Sequence, residues 1–190
     1  MPDAANAVIA ALWLGWVAYW TIASIAVKAS VRRESIASRL LHVVPLAVAV
    51  LLLWPRTLPI AALRLRFVPA AAWLPWAGAT LVAAGLLFTL WARLHLGRNW
   101  SGIVTIKQGH ELITGGPYAF VRHPIYSGLL LAFAGWAIAT GEWRGVLAVV
   151  IVAAAFWRKV RVEECWLHEQ FGGTYDAYRQ RVAALVPFVF

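Results

Sequence analysis

Residues 67–92, FVPAAAWLPWAGATLVAAGLLFTLWA, run for 26 positions without a charged side chain. A helix rises about 1.5 Å per residue and the hydrocarbon core of a bilayer is about 30 Å thick, so this run is long enough to cross it. Uncharged runs of the same kind occupy residues 4–27, 40–55, 124–141 and 145–157. The last holds only 13 residues and reaches across only if Arg144 and the Arg158/Lys159 pair snorkel outward from its ends. Gly141-Glu142-Trp143-Arg144 is so short a connection that the fourth and fifth runs must form a tight antiparallel hairpin. The predicted fold is all-α: a polytopic membrane protein of about five transmembrane helices. It forms a single membrane domain over 1–190, with three N-terminal spans in 1–92 and the chemistry-bearing region in 93–190.

Composition agrees. The 190 residues are 62% hydrophobic and 13% charged, with 12 Trp, whereas soluble domains carry about a quarter charged residues. Too few polar side chains remain to cover an apolar core, so membrane lipids are expected to be the first partners of the surface. The net charge of +9 sorts by loop: alternate sides of a five-span chain hold 13 and 4 basic residues. That split predicts an N-terminus outside and the C-terminal segment in the cytoplasm, in an inner or plasma membrane if the chain is bacterial. A basic stripe interleaved with stacking aromatics is absent, which argues against nucleic acid. The first run follows Asp3 rather than a basic residue and is too long for a signal h-region, so it is expected to stay as a span. Trp54, Trp73, Trp91, Trp143 and Trp157 fall near span ends, where indoles favour the interface. Trp13, Trp16 and Trp20 share one helix face and suit packing. Cys165 stands alone, so no internal disulfide forms, and a buried inert thiol is expected. The five His are scattered without an i, i+4 pair, so no metal is expected.

Polar residues concentrate in two stretches assigned to the cytoplasmic side, 93–123 and 158–181. Gly115-Gly116-Pro117 reads as a turn. His123 precedes proline and is pushed out of the helical region, while Pro124 suits the first position of a helix. Arg122 and His123 therefore stand at a helix N-terminus, where free N–H groups attract an anion and Arg122 adds a forked donor for carboxylate or phosphate. In the tail, Lys159 with Glu163 and Arg161 with Glu164 have helical ion-pair spacing, and Gly172-Gly173 stops the helix. Adjacent Glu163 and Glu164 leave a helix about 100° apart, so only one is expected to face the loop. Tyr175, Tyr178, Arg181, Val182, Pro187 and Phe188 suggest an amphipathic closing segment lying on the membrane surface.

Taken together, Leu112-Ile113-Thr114-Gly115-Gly116-Pro117-Tyr118, the Arg122-His123-Pro124-x-Tyr126-x-Gly128 box, Glu163-Glu164, Phe171-Gly172, Tyr175-x-x-Tyr178 and Pro187-Phe188 resemble the isoprenylcysteine carboxyl methyltransferase family. The resemblance runs from about His110 to the C-terminus. It implies an integral membrane enzyme that takes its methyl group from S-adenosylmethionine without a Rossmann domain, and no Gly-x-Gly-x-x-Gly follows a strand here. It further implies a cofactor pocket on the cytoplasmic side, formed by the C-terminal half, with His110, Leu112, Gly116, Tyr118, His123, Pro124, Tyr126, Glu163 and Glu164 as candidates. Arg122 and Arg161 are the candidates for polar substrate contacts, and Arg122 and Glu164 for catalysis. Ala183 stands where eukaryotic relatives often have proline, which loosens the expectation of a prenylated-protein substrate.

The expected acceptor is lipophilic: the carboxylate or thiol of an isoprenylcysteine-like or other small molecule, or a lipid. Methyl transfer discharges a sulfonium, so a site of low dielectric favours it when the acceptor is an anion. A phospholipid amine would first have to lose a proton, and Glu163 or Glu164 would be the acceptor. Membrane sterol reductases share a similar Arg-His-Pro-x-Tyr region but would use NADPH. A non-enzymatic membrane protein, with these motifs as caps and surface ion pairs, is the third class.

Overall fold

The computed structural model describes residues 2–25, 30–54, 60–97, 105–107 and 112–187. Among these residues five long helices alternate in direction: α1 (Pro2–Ala23), α2 (Ile36–Leu53), α3 (Leu74–Leu96), α4 (Pro124–Thr140) and α5 (Trp143–Phe171), followed by the short α6 (Gly173–Arg179). Short 3-10 turns occupy Ala61–Arg64 and Gly116–Ala119. Residues 4–23 of α1, all of α2 and all of α3 are long and apolar enough to cross a membrane; α4 is apolar over 17 residues. α5 is apolar only over its first half and then continues as one charged helix to Gly172, whose φ of +52° ends it. The chain is thus an all-α integral membrane protein.

One element was not foreseen. β1 (Ser30–Arg33) and β2 (Thr105–Lys107) pair antiparallel, Arg32 opposite Ile106 and Arg33 opposite Thr105, tying the α1–α2 connection to the α3–α4 connection. Both strands are too short to show a period in a sequence.

α3 and α4 pack through small residues. A Cβ added to Gly78 would strike the Gly135 carbonyl and Ala139, and one added to Gly85 would strike the Gly128 carbonyl and Ala132. Within lipid there is no hydrophobic force between helices, so such close backbone approach supplies the contact energy. α1 lies along this pair: Trp13 sits 5.1 Å from Phe133 and 5.9 Å from Trp136, and Trp16 stacks on Trp20 at 4.3 Å. The Trp16 indole also donates to Thr89 Oγ1 at 2.7 Å. The tryptophan stripe therefore packs helices, while Trp54, Trp73, Trp91, Trp143 and Trp157 all face outward.

The α4–α5 hairpin turns at Gly141 with φ +66°. Arg144 does not simply snorkel away from it. Its Nη1 donates to the Leu52 and Trp54 carbonyls at 2.9 Å each, and its Nε lies 2.6 Å from Glu142. A cation is favoured at the C-terminus of α2, where carbonyls lack helical partners. Cys165, expected inside, is exposed on α5.

Candidate functional site

The site begins where Pro124 opens α4. His123 keeps a non-helical backbone (φ −125°, ψ 62°) ahead of it, because the proline ring disfavours a helical neighbour. The stretch before α4 is then laced to the C-terminal tail. Arg122 N–H donates to the Ala183 carbonyl at 2.8 Å, His123 N–H to the Ala184 carbonyl at 3.0 Å, and Ser127 Oγ to the Leu185 carbonyl at 2.5 Å. Tyr178 adds a buried bond from its hydroxyl to the Tyr118 carbonyl at 2.6 Å.

Against this junction α5 presents Phe156, Lys159, Glu163 and Glu164. Both glutamates engage, not one. The His123 ring sits between them, Nδ1 at 3.4 Å from Glu163 Oε2 and Nε2 at 3.3 Å from Glu164 Oε1. Their divergence on the helix, read as excluding one carboxylate, is what allows the ring to be held at both edges. Tyr126 donates its hydroxyl to Glu163 Oε1 at 2.5 Å. Its ring stacks on His123 at 5.7 Å and on Phe156 at 4.9 Å, with the Lys159 ammonium 5.3 Å from its centroid. Arg122 reaches Glu164 Oε1 with Nε at 2.8 Å and Nη2 at 2.7 Å, and its Nη1 donates to the Arg179 and Val182 carbonyls. Arg179 Nε approaches Glu164 Oε2 at 3.8 Å.

Burial alone would raise both carboxyl pKa values. For Glu164 the hydrogen bonds from His123 and Arg122 outweigh it and hold the group down to about 2. For Glu163 the His123 bond and the Lys159 charge do the same, to a lowered value. Burial works against the charged His123, yet its bonds to Glu163 and Glu164 prevail and raise its pKa. The cluster therefore favours two carboxylates gripping an imidazolium. Burial, with the Glu164 charge, pushes the Tyr175 phenol well above its usual value, and burial takes Tyr178 to about 12 against the opposing Arg122 charge. The Tyr175 hydroxyl is buried near Glu164 without a well-aligned hydrogen bond among the described residues.

Of the residues singled out in the sequence, Arg122, His123, Pro124, Tyr126, Glu163 and Glu164 meet in this cluster, and Tyr118 joins through its carbonyl. Gly116 holds φ +58° at the 3-10 turn, with His95 filling the space a side chain would need. Leu112 is partly buried, and Arg161 is exposed on α5. His110 and Phe188 lie outside the described residues. Two expectations change. Glu164 pairs with Arg122, His123 and Arg179 rather than with Arg161, because α5 packs this face on the α4 junction instead of exposing it. The Arg122 fork, expected to await a substrate anion, already has its nitrogens directed at Glu164 and tail carbonyls. The tail also differs: Tyr175 and Tyr178 turn into the protein beneath this pair and are buried. Their spacing of three gave one shared face but not the surface it covers. Arg179 was missed altogether, for no local signal sets it apart from the other tail cations.

The sequence model of the phospholipid methyltransferase family matches residues 73–174. A protein-S-isoprenylcysteine O-methyltransferase B of Arabidopsis thaliana is 32% identical over 124 residues, covering 62% of this chain and 61% of that protein. The protein-S-isoprenylcysteine O-methyltransferase of Schizosaccharomyces pombe is 33% identical over 101 residues, 52% of this chain and 43% of that one. A steroid 5-alpha-reductase DET2 of Solanum lycopersicum is 26% identical over 113 residues, 60% and 41%. The chain thus spans about six tenths or less of the length of these relatives. Among solved structures, the eukaryotic intramembrane Ras methyltransferase ICMT superposes with a TM-score of 0.59 at 25% identity, over 84% of this chain and 55% of that one. The matched segment takes in the α4 junction and both glutamates of α5, and by it the chain belongs to the phospholipid methyltransferase family.

Proposed function

We propose that this protein is a membrane methyltransferase that takes a methyl group from S-adenosylmethionine and delivers it to the carboxylate or thiol of a lipophilic acceptor, at a site on the cytoplasmic side. The observation that carries the reading is the His123 ring held between Glu163 and Glu164 at the mouth of α4, in a chain whose relatives are named as isoprenylcysteine O-methyltransferases. The groups present suit the donor. The two carboxylates complement a sulfonium and an ammonium, the Tyr126 and Phe156 rings offer stacking faces, and the Tyr175 hydroxyl beside Glu164 offers a hydrogen bond.

When bound, the sulfonium supplies an electrophilic methyl. The protein's part is alignment, worth several kcal/mol when the reacting atoms are held in line. Arg122 and Glu164 fix α4 to α5, His123 and Tyr126 fix Glu163, and the tail closes one side against water. The 13 to 4 division of basic residues supports the cytoplasmic placement.

Transfer of labelled methyl from S-adenosylmethionine into lipid-extractable product by the purified protein tests the reading, with His123→Ala expected to lower it by at least tenfold. No incorporation with any lipophilic carboxylate or thiol would refute it. A second reading, an NADPH-dependent reductase of a sterol-type substrate, draws on the similarity to the steroid 5-alpha-reductase. NADPH oxidation by the same preparation would favour that one.

A further inference from the structure

At the membrane end opposite the His123 cluster, the tips of α1, α2, α3 and α4 leave a partly open cavity of about 480 Å³ between them. α4 separates the two regions, rising about 20 Å from Tyr126 to Thr140. The inner wall is apolar, with Ile9 of α1, Leu53 of α2 and Trp136 of α4. The small side chains of Ala70-Ala71-Ala72 keep the space open on the side of α3. Four polar residues share the wall: Asn6, Arg66, Glu142 and Arg144. Trp54, Trp73 and Trp143 are exposed at the same helix ends, the position that indoles take at the level of lipid headgroups. The mouth of the cavity therefore lies where headgroups lie, and its floor where acyl chains begin.

Both guanidiniums are fixed before any ligand arrives. Arg66 Nε donates to the Val68 carbonyl at 3.1 Å and its Nη1 to the Thr140 carbonyl at 3.3 Å, at the C-terminus of α4. A side chain at Gly141 would strike Arg66 Nη2, so the glycine makes room for this placement. Arg144 is held by the Leu52 and Trp54 carbonyls through Nη1 and by Glu142 through Nε. The described bonds use Nε and Nη1 of each arginine and leave both Nη2 groups without one. Glu142 is the one carboxylate among the described residues of the wall, and Arg144 already holds it at 2.6 Å. Arg66 and Arg144 against Glu142 leave the wall with one net positive charge, carried by Arg66, whose two described partners are neutral carbonyls.

We propose that this cavity binds an anionic phospholipid, with its phosphodiester on Arg66 and Arg144 and the start of one acyl chain along the apolar wall. A guanidinium fork matches phosphate oxygens, and the two arginines are pre-organised for them. A free phosphate would meet Ile9, Leu53 and Trp136 without a hydrogen bond to gain, whereas an acyl chain suits that surface. A choline or ethanolamine head brings an ammonium for which the wall has no uncommitted carboxylate. A phosphoglycerol head brings hydroxyls instead, and Asn6 offers them a partner. Bound there, the lipid would tie the segment before α3 to the α4–α5 turn and stabilise the fold by mass action. The site is separate from the His123 cluster, and the proposal stands apart from the methyl-transfer reading.

The test is calorimetric titration of the full chain in dodecyl maltoside with dioctanoyl phosphatidylglycerol, dioctanoyl phosphatidylcholine and inorganic phosphate. The expected result is one saturable phosphatidylglycerol site per chain, binding of phosphatidylcholine weaker by at least about tenfold, and no saturable binding of inorganic phosphate. Arg66→Gln should weaken phosphatidylglycerol by at least about tenfold, and Arg66→Lys, which keeps the charge, by less. Ala71→Phe leaves every charge in place and fills the cavity, so it should lose the lipid as well. Phosphatidylglycerol should also raise the unfolding temperature of the parent and not that of Ala71→Phe. Should Arg66→Gln fail to fold, Ala71→Phe decides alone. Equal affinity for the two lipids, or unchanged phosphatidylglycerol affinity in Arg66→Gln or Ala71→Phe, overturns the site. Inorganic phosphate bound as tightly as phosphatidylglycerol overturns the lipid as its occupant.

Discussion

Arg122 and Glu164 lie 42 positions apart and meet through two guanidinium nitrogens on one carboxylate oxygen, at 2.7 and 2.8 Å, with side chains 9% and 8% exposed. The pair is the bolt between the start of α4 and the polar half of α5. Removing one partner strands a buried charge, so Glu164→Ala is expected to destabilise the fold by about 3–5 kcal/mol. Arg122→Lys should cost less but break the two-point grip. Thermal unfolding in detergent reads both. A change within experimental scatter for Glu164→Ala would show that the pair is solvated and carries no such role.

The charge states impose a pH window. Glu164 has a lowered pKa of about 2, so its contribution is complete above its ordinary value of about 4.5 and is lost as pH falls toward 2. His123 has a raised pKa, so its contribution is complete below about 6.5 and is lost as pH rises through the folded value. Stability should therefore be greatest between about pH 5 and 6.5 and decline on the alkaline side. In His123→Gln the alkaline decline should flatten, as followed by unfolding temperature from pH 5 to 9. An alkaline limb identical to that of the parent would assign it to another group.

The α3–α4 contact gives a prediction independent of the chemistry. A side chain at Gly128 would meet the Gly85 carbonyl and Thr89, whereas Gly15 has open space around it. Gly128→Val is expected to cost at least about 1–3 kcal/mol by overpacking and to lower the unfolding temperature. Gly15→Val should leave that temperature almost unchanged. Equal behaviour of the two would mean that α3 and α4 are not in backbone contact.

Much of this was legible in the sequence, and for reasons particular residues make plain. Pro124 marked the start of α4 because proline fixes its neighbour's backbone, and Gly172 marked the end of α5. The long uncharged runs marked the helices because a segment crossing lipid must satisfy its own backbone hydrogen bonds, and a helix does so within one run. What stayed hidden was tertiary. Glu163 and Glu164 diverge on α5, and only the position of His123 between them turns divergence into a clamp. Arg122 looked like a free donor for an anion because its partners lie 42 and about 60 positions downstream.

Cys165 is the single cysteine and is exposed on the polar half of α5. A membrane-impermeant maleimide is expected to label it in inverted vesicles and not in right-side-out ones, on the expectation from the distribution of basic residues that this half of α5 faces the cytoplasm. Labelling confined to right-side-out vesicles would invert the topology and move the proposed site to the outer face.

The most direct measurement is calorimetric titration of the purified protein in detergent with S-adenosylmethionine and, separately, with NADPH. The expected result is saturable binding of S-adenosylmethionine that is weakened at least tenfold in His123→Ala, with no heat from NADPH. Binding of NADPH by a folded protein that ignores S-adenosylmethionine would contradict the methyl-transfer reading.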